Sequence, residues 1–186
     1  GKDRAAIMMA GHTPDEIWWW HGKRNFISYN GKAEPAAVTA ANAAIDRALA
    51  IGIPAPALSP LCAAKIAPVE LKPLPRAGNP DVPSKFVGNA PGAIESGNVP
   101  GFAASPSLDG VTLTIAAQLA ADMKLGEGEA TDVLIVGLSA TDYVGHAYGT
   151  EGPEMCSQLM AADARLGAFF DALDRRGISY AVALTA

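Results

Sequence analysis

Asp132-Val-Leu-Ile-Val-Gly-Leu-Ser-Ala-Thr-Asp-Tyr-Val-Gly-His146 is the stretch on which the fold turns. Its first half is a short, continuous apolar run, which reads as a buried strand. Its second half places a carboxylate, Asp142, and an imidazole, His146, four residues apart just past the carboxyl end of that strand. In open α/β sheets ligands bind at that end. Carboxylate oxygen with imidazole nitrogen is a donor set that suits zinc, although an Asp-x-x-x-His spacing by itself occurs in many unrelated proteins.

Beyond this stretch a helical pattern begins near Pro153 and runs to Arg175. Leu159, Leu166, Phe169, Phe170 and Leu173 make its apolar stripe. Ile178 to Ala186 follows and reads as a core strand. The alternation of helix and strand predicts an α/β sandwich with the strands near 133–138 and 178–185 as parallel neighbours. Upstream, Ser107 or Asp109 is expected to cap a helix near Val111–Met123. Pro35 opens an amphipathic helix carrying Val38, Ala41, Asn42, Ile45, Ala48 and Leu49 up to Gly52.

Between these helices the composition changes. Eleven of the fourteen prolines fall between Pro54 and Pro106, so long regular elements are not expected there. Leu58, Leu61, Ile66, Val69, Leu71, Leu74, Phe86, Val87 and Phe102 are the expected anchors. Residues 53–107 read as an ordered Pro/Gly-rich insertion over the catalytic face, since long loops of α/β enzymes often cover the site.

At the start of the chain Asp3 is placed to cap a short helix, Arg4 to Ala10, stopped by Gly11. Lys2 and Arg4 flank its N-terminus, where free N–H groups favour an anion. Strands over 16–20 and 25–29 are expected to form a hairpin around His21-Gly-Lys-Arg24. Alternation puts Trp18 and Trp20 on one face and Trp19 on the other, with packing as their main role. His12 and His21 are expected to be exposed, and only His12 lies near Lys2 and Arg4 in sequence.

Val136-Gly-Leu-Ser-Ala-Thr-Asp-Tyr-Val-Gly-His-Ala-Tyr-Gly149 resembles a segment of the alkaline phosphatase superfamily, nearest to the PhoK/PafA-type bacterial alkaline phosphatases, which are relatives of the type I phosphodiesterase/nucleotide pyrophosphatases. Lys2-Asp3-Arg4-Ala5-Ala6-Ile7 resembles the phosphate-contacting segment of the same family. The resemblance implies an alkaline-phosphatase-like α/β/α sandwich, present here in part, with a mostly parallel sheet and the Pro-rich excursion. It implies that Asp142 and His146 hold one of two zinc ions and that Lys2 and Arg4 bind phosphoryl oxygens. The substrate class it implies is a small-molecule phosphate ester, and the setting is periplasmic or secreted. Ile27-Ser-Tyr-Asn-Gly31 departs from the family pattern after the hairpin. The family's nucleophilic Thr and the Asp-His pair for its second zinc have no match, so the chain is expected to be part of one catalytic domain and inactive alone.

A dianionic monoester suits the Lys2–Arg4 pair better than a diester, which makes a phosphomonoesterase the favoured reading. A phosphodiesterase and a non-catalytic metal-binding module are the alternatives. The chain's 186 residues suffice for one domain with a real core. A net charge of -5 argues against a nucleic-acid-binding surface. No run approaches the roughly 18 apolar residues of a membrane span. Cys62 and Cys156 are compatible with one disulfide or with two buried thiols.

Overall fold

A computed structural model describes residues 2–29, 32–72 and 84–185. Its organising element is α5, Pro106–Asp122. Ser105 caps α5 by accepting a hydrogen bond from the Ser107 N–H at 3.2 Å, and Pro106 occupies the first turn, where its missing N–H costs nothing. The cap is thus neither Ser107 nor Asp109, and the helix starts earlier than expected. A Ser-Pro pair is a start signal as good as the later ones, and Asp109 is engaged elsewhere.

Apolar side chains surround α5. On one side Leu108, Ile115 and Leu119 meet Val38, Ile45 and Leu49 of α2 (Ala36–Ile51), together with Phe102 of α4 (Val99–Ala103). On the other side Leu113 and Ala116 meet Phe169 of α7 (Pro153–Arg175), with Val136, Leu138 and Leu166 packed against them. The helical periodicities of α2 and α7 are as expected from the sequence. Leu159 is an exception: it points outward, while Pro153, Glu154, Met155, Gln158 and Phe169 form the buried face of α7.

The hairpin forms with short arms, β1 (Trp19–Trp20) and β2 (Phe26–Ile27), pairing Trp20 with Phe26 and Trp19 with Ile27. The side-chain alternation holds. Trp20 packs on Phe26 and Phe102, with Trp18 against the same core, while the Trp19 ring meets the edge of Tyr29. Asn42 joins the hairpin to α2. Its Oδ1 accepts from the Phe26 N–H at 2.7 Å and its Nδ2 donates to the Phe26 carbonyl at 3.0 Å. This occupies both backbone groups of Phe26, a buried residue for which unpaired polar groups would be costly.

The insertion contains short elements: α3 (Pro60–Ala63) and a hairpin of β3 (Val69–Leu71) with β4 (Lys85–Val87). Most expected anchors are wrong. Leu61, Ile66, Val69, Leu71 and Phe86 are exposed, Leu74 lies outside the described residues, and Val87 and Phe102 are buried. The anchoring is covalent and polar instead. Cys62 is disulfide-bonded to Cys156 in α7. The Glu154 carboxylate accepts from the Gly88 N–H at 3.0 Å. Gly88 has φ +78 and a Cβ there would lie 2.3 Å from the Ala67 carbonyl oxygen, so only glycine fits. At the other end an Ile53–Ile94 bridge pins the insertion where α2 stops at Gly52.

The segments 133–138 and 178–185 are the main departure. Among the described residues they form no ladder, and the ladders present are the two antiparallel hairpins. Val136 and Leu138 turn into the core beneath α5 and α7, whereas Val133, Leu134, Ile135, Tyr180, Val182 and Leu184 are exposed. A parallel pair is weaker per residue than an antiparallel one, and two strands alone do not make a stable sheet. Apolar content therefore marks these segments without pairing them.

Candidate phosphate- and metal-binding site

The Asp142 stretch is helical: α6 spans Ala140–Tyr148. Buried Ala140 and Val144 face the core, and Gly149, at φ +88, ends the helix with its N–H on the Gly145 carbonyl. Asp142 and His146, one turn apart on the outer face, are side by side. His146 Nε2 is 3.6 Å from Asp142 Oδ1, and the two side chains are 80% and 50% exposed. Two ligands of one tetrahedral zinc, each at about 2.0–2.2 Å, stand roughly 3.4 Å apart. The Asp142–His146 spacing therefore fits a shared ion. Among the described residues no group of three or more His, Cys, Asp or Glu gathers, so those residues offer two such donors here.

The second oxygen of Asp142 has a different partner. Asp142 Oδ2 accepts a hydrogen bond from Lys2 Nζ as an ion pair. Lys2 Nζ also lies 4.6 Å from the centre of the Tyr143 ring. The Lys2 N–H donates to Ser139 Oγ at 3.0 Å, fixing the start of α1 (Asp3–Ala10) against the start of α6. The hydrogen bond from Lys2 holds the Asp142 carboxyl below its usual range, helped by the charges of Lys2, His146 and Arg4. Asp142 is accordingly an anion at neutral and mildly acidic pH.

Lys2, Asp3, Arg4, Trp19, Trp20, His21, Gly22 and Tyr143 line a cleft of about 310 Å³. Arg4 is exposed, and Asp3 is turned back, its Oδ1 accepting from the Arg4 N–H at 2.7 Å. Asp3 thus lies within α1, with Lys2 in the cap position. The structure brings the phosphate-contacting candidates and the metal candidates together through one contact, Lys2–Asp142. His12 is exposed and does not line the cleft, whereas His21 does. Tyr143, which lines the cleft and faces Lys2 Nζ, was not singled out from the sequence.

One further group bears on this site. Asp109 in α5 is fully buried. Its Oδ1 accepts from the Ala140 N–H at 3.0 Å and its Oδ2 from Gln158 Nε2 at 2.8 Å. Burial pushes its carboxyl up, against the opposing effect of these two donors.

Residues 8–186 match the family described as type I phosphodiesterase / nucleotide pyrophosphatase. Over its full length the chain is 46% identical to alkaline phosphatase PhoK of a Sphingomonas species and, over 187 aligned residues, 40% identical to alkaline phosphatase PhoD of Zymomonas mobilis. It spans 31% of the length of each. Among solved structures, wild-type alkaline phosphatase PafA matches with a TM-score of 0.68 and 25% identity, over 94% of this chain and 34% of that one. A substituted variant of PafA matches with a TM-score of 0.69. The fold is therefore a partial alkaline-phosphatase-like α/β fold, and the chain belongs to the type I phosphodiesterase / nucleotide pyrophosphatase family.

Proposed function

We propose that this chain supplies the phosphate clamp and one half-site for zinc in a phosphomonoesterase of the alkaline phosphatase type. One observation carries the reading: a single carboxylate, Asp142, faces His146 with one oxygen and holds the cationic Lys2 with the other. A metal position and a phosphate position are thereby set next to each other. The family match and the names of the relatives support the same reading.

In this account Asp142 and His146 hold one zinc ion. When bound, zinc lowers the pKa of a coordinated oxygen and offsets charge on the phosphoryl group. Lys2 and Arg4 bind the non-bridging oxygens. Lys2 acts as a point charge oriented by Asp142 and the Tyr143 ring, and Arg4 as a two-pronged donor at the cleft mouth. Their charges matter most where negative charge is greatest, on a monoester. Trp19, Trp20 and Tyr143 offer aromatic surface beside them for the ester group. The nucleophilic Thr and the donors for a second zinc are assigned to the remaining length seen in the relatives, which leaves the chain alone without turnover.

Residues 53–107 are taken to cover the catalytic face. Lys85 Nζ of β4 lies 5.3 Å from the centre of the Tyr148 ring at the end of α6, which supports this placement. The Cys62–Cys156 disulfide favours an oxidising compartment, periplasmic or secreted. Among the described residues no helix is long and apolar enough to cross a membrane.

A diesterase reading keeps its place because the family description includes phosphodiesterases. Replacing Arg4 by Ala in the full-length protein separates the two. The change is expected to slow hydrolysis of p-nitrophenyl phosphate about tenfold more than that of its bis ester, a difference of about 1.4 kcal/mol in transition-state stabilisation. Equal losses on the two substrates would overturn the monoester clamp.

A further inference from the structure

We propose that Asp109 is a positioning residue for the α6 site, a role that rests on the zinc reading of Asp142 and His146. α6 lacks a cap of its own. Ser139 stands at its N-cap but makes no capping bond; its Oγ accepts the Lys2 N–H. The first N–H of α6, that of Ala140, is satisfied from another helix by Asp109 Oδ1. The other oxygen of Asp109 is held by Gln158 of α7. One carboxylate thereby ties α5, α6 and α7 together, two residues before Asp142.

A buried carboxylate is an expensive way to cap a helix, since taking its charge out of water is costly. A hydroxyl or amide would satisfy an N–H at lower cost. A forked side chain, unlike a hydroxyl, reaches a second partner, so that α6 is registered against two helices at once. Gln158 is oriented by the same group: its Nε2 faces Asp109 and lies 3.4 Å from Thr141 Oγ1, while its Oε1 is buried with no partner among the described residues. Loss of this clamp frees the helix that carries both metal donors and the partner of Lys2. Misplacement by about 1 Å suffices to cost about a hundredfold in rate.

The test measures zinc affinity by chelator competition, kcat, and melting temperature in the full-length protein for five variants. Asp109→Ala is expected to bind zinc at least tenfold more weakly and to lose at least tenfold in kcat. Asp109→Asn is expected to stay within threefold of wild type on both, because its Oδ1 still accepts from Ala140 and Gln158 is free to turn its orphaned Oε1 toward the new amide. Ile45→Ala, destabilised in the α2 core, is expected to melt lower and keep its zinc affinity. His146→Ala reports on the metal reading itself.

Zinc affinity within threefold of wild type in Asp109→Ala, with His146→Ala deficient, would overturn the positioning role alone. The same result would follow if Ile45→Ala lost as much zinc affinity as Asp109→Ala. Wild-type affinity in His146→Ala would overturn both readings. Should Asp109→Ala fail to fold, Gln158→Met decides, with an expected loss of threefold or more in zinc affinity and no change as the contrary result.

Discussion

His146→Ala and Asp142→Ala are each expected to lower turnover of the full-length protein by a hundredfold or more and to leave it short of zinc. A hundredfold corresponds to about 2.7 kcal/mol of transition-state stabilisation. Among the described residues two donors reach the proposed zinc site, so removing either leaves one, and affinity depends on ligand count and prior geometry. The two variants are not equivalent. His146 is 80% exposed, and among the described residues its side-chain partner is Asp142. Its loss should weaken zinc binding and leave the Lys2 contact intact. Asp142 also holds Lys2 Nζ, so its loss releases the cation proposed to bind phosphate as well. Inhibition by inorganic phosphate should therefore weaken more in Asp142→Ala than in His146→Ala. Metal analysis with steady-state kinetics on both variants checks this. Full zinc occupancy with normal rates in each would remove α6 from the reaction.

Cutting the Cys62–Cys156 bond is expected to lower the free energy of unfolding by about 2–4 kcal/mol. The two cysteines are 94 residues apart in sequence, so the bond closes a long loop and greatly restricts the unfolded chain. In the folded state it fastens α3 to α7, and Cys62 is buried. Among its described residues the insertion has few apolar anchors to compensate, since Leu61, Ile66, Val69, Leu71 and Phe86 are exposed. The Gly88–Glu154 hydrogen bond remains as a second tether to α7. A thermal melt with and without reductant, and of the Cys62→Ser variant, should show a fall of roughly 10 °C. An unchanged melting temperature would mean that the insertion is held by contacts other than this bond.

Much of this arrangement was legible in the chain because it depends on local period. Val38, Ile45 and Leu49 recur at helical spacing and are buried together. Trp18 and Trp20 share a face because successive residues of a strand alternate. The approach of Asp142 to His146 is the same kind of fact, a four-residue step on one helix.

What escaped the sequence reading depends on contacts between distant residues. Asp109 in the first turn of a helix reads as a cap, and it becomes a buried clamp only because Ala140 and Gln158, 31 and 49 residues onward, fold against it. Asn42 reads as one more position on an amphipathic helix until the Phe26 backbone, 16 residues back, supplies its partners. The alternation of helix and strand predicts the runs at 133–138 and 178–185 as parallel neighbours, and among the described residues they form no ladder. Pairing is a property of two segments, and no pattern within one run encodes it.

In the proposed function one metal ion is held between Asp142 and His146, beside the Lys2–Arg4 clamp. An anomalous difference map at the zinc edge, from crystals of the active full-length protein soaked with inorganic phosphate, tests it most directly. A zinc peak is expected within bonding distance, about 2.0–2.2 Å, of an Asp142 carboxylate oxygen and a His146 nitrogen, with phosphate between that peak and the Lys2 and Arg4 side chains. A fully active crystal form with its zinc peaks away from both residues would contradict it.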